Sequence, residues 1–199
     1  MGENKIFVIS GPGGAGKTTL VNRLFGKKDI QESCLKAVTV TTRGKRPQEK
    51  DGQDYFFVTE EEFLKLKGKG FFLESQKILD NYYGTPKLFY GWAKAKGKHL
   101  ILCIDVKGGM CLKKSLRAGK ISTIFIAVPA KAELYRRMGK RAEAKGVIKK
   151  RVELAKEEMR FSKYYDYLVV NKDINVTLQE LERIILGNKK LKGKAKRRK

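Results

Sequence analysis

A glycine-rich run near the start of the chain ends in a lysine and two threonines, residue types that together can hold phosphate. Gly11, Gly16, Lys17 and Thr18 have the spacing of a phosphate-binding loop. Glycines let backbone N–H groups approach phosphate oxygens, and the next helix adds its positive dipole end. Lys17 supplies a mobile charge for the β- and γ-phosphates, and the Thr18 hydroxyl suits nucleotide-bound Mg²⁺. The run predicts a nucleoside triphosphate site with these contacts: Gly11, Pro12, Gly13, Gly14, Ala15, Gly16, Lys17, Thr18 and Thr19.

The residues on either side support that interpretation, because a phosphate loop joins a strand to a helix. A β-branched apolar run, IFVI, occupies residues 6–9 immediately before the loop. Apolar residues with helical spacing follow at positions 20, 21 and 24. This context favours a phosphate site over an ordinary glycine-rich turn.

A second cluster of chemistry-bearing residues lies between positions 39 and 55, which read TVTTRGKRPQEKDGQDY. Arg43 and Arg46 stand three apart in a polar loop that carries Glu49 and ends at Tyr55. Two guanidinium groups can fork onto the oxygens of one phosphate, and a tyrosine hydroxyl can add a further donor. A triphosphate site alone fits a GTPase, an ATPase motor or a kinase, whereas a second anion site favours a kinase. Further candidates follow at Glu74, Tyr83 and Thr85.

The elements that must position these residues follow an α/β pattern. Apolar runs predict strands over 99–105, 122–128 and 167–170, and helical periodicity predicts helices over 106–117, 131–138, 147–161 and 176–186. This alternation implies a parallel sheet with right-handed crossovers, so ligands lie beyond the carboxyl ends of the strands. Residues 39–90 break the alternation and predict a small, mostly β insertion over the phosphate loop.

Shorter signals predict the remaining elements. Thr59 and Glu62 form a capping box, which starts a helix that ends near residue 67. The segment NYYGTP over 81–86 predicts a turn, with Pro86 at the first position of the next helix. The other predicted elements are a helix over 18–25 and strands over 37–41, 55–58 and 71–78.

Length and composition bound the class of protein. The 199 residues suit one α/β domain, and a hydrophobic content of 41% is typical of globular proteins. No apolar run reaches the roughly 20 residues of a membrane span, and the N-terminus lacks a signal-peptide core, so we expect a cytoplasmic protein. The three cysteines lack paired-ligand spacing, which favours reduced thiols. We expect the single histidine, His99, to be structural.

The chain is strongly basic, with 45 Lys and Arg against 21 Asp and Glu and a formal net charge of +24. Eight basic residues and no acidic residue lie within 189–199. Such a tail cannot bury a core, so we expect it to be disordered. Two interpretations stay open: weak, salt-sensitive attraction to RNA, DNA or an anionic membrane surface, or a solvated extension without function.

In their order and spacing, these motifs resemble those of the guanylate kinase family over residues 5–186. The shared features are the phosphate loop, the TTR-x-x-R segment ending in DY, the FLE strand, the NYYG turn, the ID-x-x-G segment over 104–108 and an arginine-bearing lid. The resemblance implies an α/β P-loop kinase fold with a parallel core sheet flanked by helices, a small mostly β acceptor lobe and a helical lid. Within one domain over 1–186, it implies a core at 1–36, 97–138 and 160–186, a GMP-binding lobe at 37–96 and a lid at 139–159, followed by the tail at 187–199.

The resemblance also implies phosphoryl transfer from ATP to GMP, and to dGMP, with Mg²⁺ as cofactor. It assigns the GMP phosphate to Arg43, Arg46, Tyr55 and Tyr83, and the guanine to Thr39, Glu74 and Thr85. A carboxylate at position 74 can accept from both the ring N–H and the exocyclic amine of guanine, which adenine cannot offer together. Glu49 and Asp105 complete the expected GMP site, and Asn171 joins the ATP contacts. Lys17, Arg43, Arg137, Arg141 and Arg151 are the implied catalytic residues, and Asp105 is a candidate to hold Mg²⁺ through water beside Thr18.

The chain departs from the family pattern at Cys103, where an acidic residue is usual two positions before the Asp of the ID segment. This departure puts one polar contact near the guanine pocket in doubt. Two other functions stay open at this point. A kinase for another phosphorylated acceptor should lack the Thr39 and Glu74 pair, and a guanylate-kinase-like module that only binds phosphoproteins tends to lose the loop lysine or the lid arginines. The sequence leaves the oligomeric state open.

Overall fold

The computed structural model describes residues 4–116, 119–129 and 145–187, with the backbone alone for 145–149. In chain order the strands are β1 (Ile6–Ser10), β2 (Cys34–Lys36), β3 (Thr39–Thr41), β4 (Tyr55–Phe57), β5 (Phe72–Ile78), β6 (Asn81–Pro86), β7 (His99–Cys103), β8 (Ile121–Ala127) and β9 (Tyr167–Val170). The helices are α1 (Lys17–Leu24), α2 (Lys28–Ser33), α3 (Glu60–Gly68), α4 (Leu88–Ala95), α5 (Val106–Ser115), α6 (Lys145–Arg160) and α7 (Ile174–Leu186). A 3₁₀ turn at Phe161–Tyr164 links α6 to β9.

The larger sheet consists of parallel strands in the order β2, β7, β1, β8, β9. Strand β1 is buried along its whole length, because alternate side chains face the helices on either side of the sheet. Phe7 and Ile9 pack with α1, α2 and α7, whereas Ile6 and Val8 pack with α4 and α5. The predicted α/β fold, with a parallel core sheet flanked by helices, is confirmed.

The smaller sheet has the order β4, β3, β6, β5. Its β3–β4 pair is parallel and its other pairs are antiparallel. Helix α3 covers it, and the Phe63 ring stacks on the rings of Phe72 and Tyr82 at centroid distances of 4.6 and 5.3 Å. The predicted mostly β insertion is therefore present with an apolar core of its own. The predicted capping box also forms, because Glu62 N donates to Thr59 Oγ1 and Thr59 N donates to Glu62 Oε2.

The turn predicted over 81–86 is wrong, since this segment is strand β6 and pairs with both β3 and β5. The chain instead reverses direction between β5 and β6, at Leu79, whose backbone φ is +53°. Gly84 serves close packing, because a Cβ there would lie 2.7 Å from the Phe72 ring. Pro86 ends β6, and α4 begins at Leu88 rather than at the proline.

Two short elements were not predicted, and the two largest differences at strand ends are two residues each. Helix α2 and strand β2 span six and three residues, too few for a periodic pattern to be recognised. Strand β3 begins at Thr39 rather than at position 37, and β7 ends at Cys103. Asp105 then caps α5, accepting a hydrogen bond from Gly108 N at 3.0 Å. Among the described residues, every helix is too short or too polar to cross a membrane.

Candidate active site

The phosphate loop joins β1 to α1 at the carboxyl edge of the large sheet. Gly11 has a φ of +147°, and a Cβ there would lie 2.2 Å from the carbonyl oxygen of Ile126 in β8. Gly16, with a φ of +87°, precedes α1 in a left-handed conformation. The Lys17 ammonium donates to the carbonyl oxygens of Gly11 and Pro12 at 2.6 and 3.2 Å. The loop is therefore held closely against the sheet, with its lysine folded over it.

Asn171 lies directly after β9 and supports the loop from beneath. Its side-chain amide donates to the carbonyl oxygen of Ala15 at 2.8 Å, and its own amide oxygen accepts from Thr177 at 3.3 Å. Both Asn171 and Ala15 are buried. The structure places this asparagine behind the loop and not among the cleft-lining residues.

Arg43 and Arg46, in the loop between β3 and β4, share one carboxylate. Arg43 donates from one nitrogen to both Glu49 oxygens at 2.7 and 2.9 Å, and Arg46 lies 3.4 Å from the same carboxylate. The Arg43 guanidinium also lies over the Tyr55 and Phe57 rings, at 5.4 and 5.8 Å from their centroids. Hydrogen bonds and charge from Arg43 and Arg46 lower the pKa of Glu49, against the effect of burial. Glu49 itself does not line the cleft and instead fixes the direction of both guanidinium groups.

Two tyrosines complete this wall of the cleft. The Tyr55 and Tyr83 rings meet edge to face with centroids 6.2 Å apart, and both line the cleft. Burial raises the pKa of the Tyr55 hydroxyl well above its usual value. Tyr55 therefore keeps its proton at neutral pH and can donate a hydrogen bond to an anion.

Glu74 is the most unusual group in the cleft. It is only 5% exposed, and its Oε1 accepts from the Thr85 hydroxyl at 2.7 Å. Its Oε2 is buried and lacks a hydrogen-bond partner among the described residues. Burial raises the pKa of this carboxyl to about 7, and the nearby charge of Asp105 adds to the increase. An unpaired buried acceptor costs free energy, so this oxygen is suited to an N–H donor from a bound ligand.

A glycine allows this arrangement. A Cβ at Gly108, in the first turn of α5, would lie 2.7 Å from Glu74 Oε2 and 3.2 Å from Asp105 Oδ2. Any larger residue at this position would displace the carboxylate. The Gly108 of the ID-x-x-G segment therefore makes room for Glu74.

Among the oxygen donors that line the cleft, the Thr18 hydroxyl and the Asp105 carboxylate are the ones that the sequence predicts to hold Mg²⁺. The described residues contain no group of three or more His, Cys, Asp or Glu side chains arranged for a metal. This donor set fits Mg²⁺, which keeps several waters and takes one or two protein ligands together with substrate phosphates. It does not fit an all-protein metal cage.

The tertiary structure brings most of the predicted residues into one cleft: Gly13, Gly14, Gly16, Lys17, Thr18, Thr19, Thr39, Arg43, Arg46, Tyr55, Glu74, Tyr83, Asp105 and Arg151. Six predicted residues do not line it: Gly11, Pro12, Ala15, Glu49, Thr85 and Asn171. Gly11, Pro12 and Ala15 belong to the phosphate loop, and Asn171 donates a hydrogen bond to it. Glu49 and Thr85 form hydrogen bonds with the cleft-lining residues Arg43 and Glu74. Arg137 and Arg141 lie outside the described residues.

Five lining residues were not predicted: Ile78, Cys103, Ile104, Leu154 and Glu158. Burial raises the pKa of the Cys103 thiol, so a neutral group lies where the family pattern has an acid. Glu158 lies on α6 and lines the cleft. In the sequence, the apolar periodicity of that helix is the signal that could have indicated which face of the helix carries this side chain. In the sequence, Ile78, Ile104 and Leu154 look the same as residues of the hydrophobic core, so no signal marks them as cleft residues.

The parallel sheet, the phosphate loop at its carboxyl edge and an arginine-bearing wall facing that loop define a P-loop kinase. A family model described as guanylate kinase matches residues 3–188. The guanylate kinase of Yersinia pestis is 37% identical over 199 residues, covering 100% of this chain and 95% of that protein. The chain belongs to the guanylate kinase family and is thus a nucleoside monophosphate kinase.

Other relatives agree with this placement. The guanylate kinase of Chlamydia trachomatis is 40% identical over 184 residues, covering 92% of this chain and 87% of its own length. The crystal structure of guanylate kinase from Anaplasma phagocytophilum superposes with a TM-score of 0.77 at 32% identity, covering 94% of this chain and 87% of that one. The similarity thus includes both the sequence and the arrangement of the elements.

Proposed function

We propose that this protein transfers the γ-phosphoryl group of ATP to GMP, giving ADP and GDP, with Mg²⁺ as cofactor. The relatives are named guanylate kinases, which supports GMP as the acceptor. Guanine is common to GMP and dGMP, so the proposal extends to dGMP. The donor nucleotide is assigned to the phosphate loop and the acceptor to the opposite wall.

The single observation that carries the proposal is the unpaired Oε2 of Glu74 in a cleft that also contains the phosphate loop. Guanine presents a ring N–H and an exocyclic amine side by side, and an ionised carboxylate accepts from both. Thr39 lies on the same lining and can donate to the guanine carbonyl oxygen. Adenine does not present a ring N–H beside its amine, so AMP could not satisfy Glu74 in the same way, which disfavours AMP.

Arg43, Arg46, Tyr55 and Tyr83 are proposed to hold the GMP phosphate. The shared contact with Glu49 directs the two guanidinium groups before substrate binds, so little ordering is required on binding. The acceptor oxygen belongs to a phosphate already ionised at neutral pH, so no protein base is required. Catalysis then depends on bringing two polyanions into line and neutralising their charge, with Lys17 on the donor side.

Thr18 and Asp105 are the residues we propose to hold Mg²⁺, Asp105 through water. When bound, the ion would neutralise negative charge on the nucleotide phosphates. Asp105 is itself held in place, because its carboxylate caps α5 through Gly108 N.

The lid over 139–159 and its arginines are also proposed from the resemblance. Arg151 lies on α6 and lines the cleft, which supports its assignment to the transferring group. Arg137 and Arg141 lie outside the described residues, so their proposed roles rest on the sequence alone. Arg136 is adjacent to Arg137, and a one-residue shift in the alignment would exchange the two roles. The division into core, GMP lobe and lid is part of the same proposal, as is a cytoplasmic location.

A coupled assay of ADP release tests the reaction. ATP is paired in turn with GMP, dGMP, AMP, CMP and UMP at equal concentrations. We expect turnover with GMP and dGMP and little with the others. Turnover with a different monophosphate would favour the kinase for another acceptor, and binding of ATP and GMP without turnover would favour the binding module.

For the tail over 187–199 we propose weak binding to nucleic acid through charge alone. Retention on immobilised RNA should fall steeply with salt and be lost when the tail is removed. Equal retention of the full and shortened chains would leave the tail as a solvated extension.

A further inference from the structure

The first turn of α5 lies against two carboxylates of the cleft. Asp105 precedes the helix and caps it, accepting a hydrogen bond from Gly108 N at 3.0 Å. A Cβ at Gly108 would lie 2.7 Å from Glu74 Oε2 and 3.2 Å from Asp105 Oδ2. Because both oxygens lie within 3.2 Å of one point, they repel each other when ionised. The turn beside them therefore requires support from other parts of the molecule.

Two buried hydroxyl groups supply that support. The Ser10 hydroxyl, at the end of β1, donates to the carbonyl oxygen of Asp105 at 3.1 Å. The Tyr165 hydroxyl donates to the carbonyl oxygen of Val106 at 3.2 Å. Ser10 and Tyr165 are both buried, and the Tyr165 ring packs edge to face on Phe125 with centroids 5.2 Å apart. This packing fixes the direction in which the tyrosine hydroxyl points.

Gly109 shows how closely the two hydroxyl groups approach the helix. A Cβ at this position would lie 2.5 Å from the Tyr165 hydroxyl oxygen and 2.9 Å from Ser10 Oγ. Any larger residue would push both groups away from the turn. The two adjacent glycines therefore serve different neighbours. Gly108 makes room for Glu74, and Gly109 makes room for the hydroxyl groups that hold the backbone.

The two hydroxyl groups come from segments that adjoin the donor side of the cleft. Ser10 is followed directly by Gly11, the first residue of the phosphate loop. Tyr165 follows the 3₁₀ turn after α6, the helix that carries Arg151. The position of the first turn of α5 is thus linked to the phosphate loop and to the end of α6. Ser10 and Tyr165 do not themselves line the cleft.

We propose that Ser10 and Tyr165 are positioning residues for base recognition. They hold the first turn of α5 in place, and this turn keeps Glu74 Oε2 directed at the bound base. Both act through the backbone, since neither lines the part of the cleft where the base would lie. This inference rests on the proposed assignment of guanine to Glu74.

The test compares two ligands that differ in one group. Calorimetry measures the binding of GMP and of inosine monophosphate to the full chain, without ATP or metal. Inosine monophosphate lacks the exocyclic amine of guanine, so the ratio of its dissociation constant to that of GMP measures the contact between this amine and Glu74. A general loss of folded protein would weaken both ligands alike and leave the ratio unchanged.

Tyr165→Phe and Ser10→Ala each remove one hydroxyl group and keep the rest of the side chain. We expect the ratio to fall at least about threefold in each variant, because a carboxylate that moves with the turn makes a poorer contact with the amine. Melting curves show whether each variant folds. Should one fail to fold, the other decides the test.

The chain offers a matched control for each variant. Tyr164→Phe removes an exposed hydroxyl group from the adjacent residue. Ser115→Ala removes a serine hydroxyl that donates to Leu112 O at the opposite end of α5. Both controls should keep the wild-type ratio.

Two results would overturn the inference while leaving the proposed function intact. One is a wild-type ratio in both Tyr165→Phe and Ser10→Ala, and the other is an equal fall in the two controls. If the wild type binds GMP no more tightly than inosine monophosphate, the assignment of guanine to Glu74 is wrong, and this inference is overturned with it.

Discussion

The phosphate loop presents main-chain groups from one continuous run of nine residues, whereas the acceptor wall presents side chains from β3, β4, β5, β6 and the loop between β3 and β4. The loop takes its shape from glycine dihedral angles and close contact with β8. The wall takes its shape from pairs of side chains, Arg43 with Glu49 and Glu74 with Thr85.

This difference explains how each side can select its ligand. Backbone N–H groups recognise phosphate, which every nucleotide carries, so the loop by itself does not choose a base. A buried carboxylate with one unpaired oxygen recognises a particular pattern of donors. Selectivity for guanine is therefore expected to depend on the acceptor wall, and charge neutralisation on both sides.

The largest effect should come from the loop lysine. Lys17→Met removes the mobile charge of the donor side, and we expect kcat/KM to fall about 10³-fold, or about 4 kcal/mol in transition-state stabilisation. Steady-state kinetics with ATP and GMP measure this loss. Lys28→Met, at an exposed position on α2, is the control and should retain wild-type rates. A fall of less than about tenfold would contradict the role of Lys17.

Arg43→Lys tests the acceptor phosphate. Lysine keeps the charge but lacks the planar guanidinium group that contacts both Glu49 oxygens. We expect transition-state stabilisation to fall by about 2 kcal/mol, which is roughly thirtyfold in kcat/KM for GMP. The exposed Arg23→Lys on α1 provides the matched comparison. Unchanged turnover of GMP would remove Arg43 from the acceptor site.

Glu74→Gln separates base selection from phosphate binding. The amide places a donor where guanine also donates, so the ratio of kcat/KM for GMP to that for AMP should fall at least about tenfold. Tripolyphosphate binding should stay the same, because the loop is untouched. Glu60→Gln, at an exposed position on α3, controls for the loss of one charge. A ratio that does not change would show that another group reads the base.

The smallest effect concerns stability and pH. The pKa of Glu74 is about 7 in the folded protein against an ordinary 4.5, so between these values the folded state binds more protons than the unfolded state. The free energy of unfolding should therefore fall as pH rises from 5 to 8. In denaturant unfolding, the free energy of unfolding of the wild type should fall by at least about 1 kcal/mol more than that of Glu74→Gln over this pH range. Parallel curves for the two proteins would mean that Glu74 is ionised at pH 5.

The periodic elements of the large sheet could be predicted from the sequence, because β1, β7, β8 and β9 are apolar on both faces and separated by helical spacing. The incorrect predictions lie mainly in the small sheet and in β2, an edge strand of the large sheet. Residues 81–86 contain Asn, Gly and Pro and so predict a turn, yet Gly84 is required for contact with Phe72. Strand β2 is too short to be recognised before its partner β7 is known.

The sequence by itself determined the phosphate loop, since its glycines, lysine and threonine act through local backbone geometry, and it also indicated most of the residues that line the facing wall of the cleft. Only the tertiary structure decided that Glu49 pairs with both arginines, that Asn171 supports Ala15, and that Glu158 lines the same cleft as the phosphate loop. The Asn171 contact joins residues far apart in the chain, and the Glu49 contacts depend on how one loop folds. Their energies depend on distance and burial, which spacing along the chain does not specify.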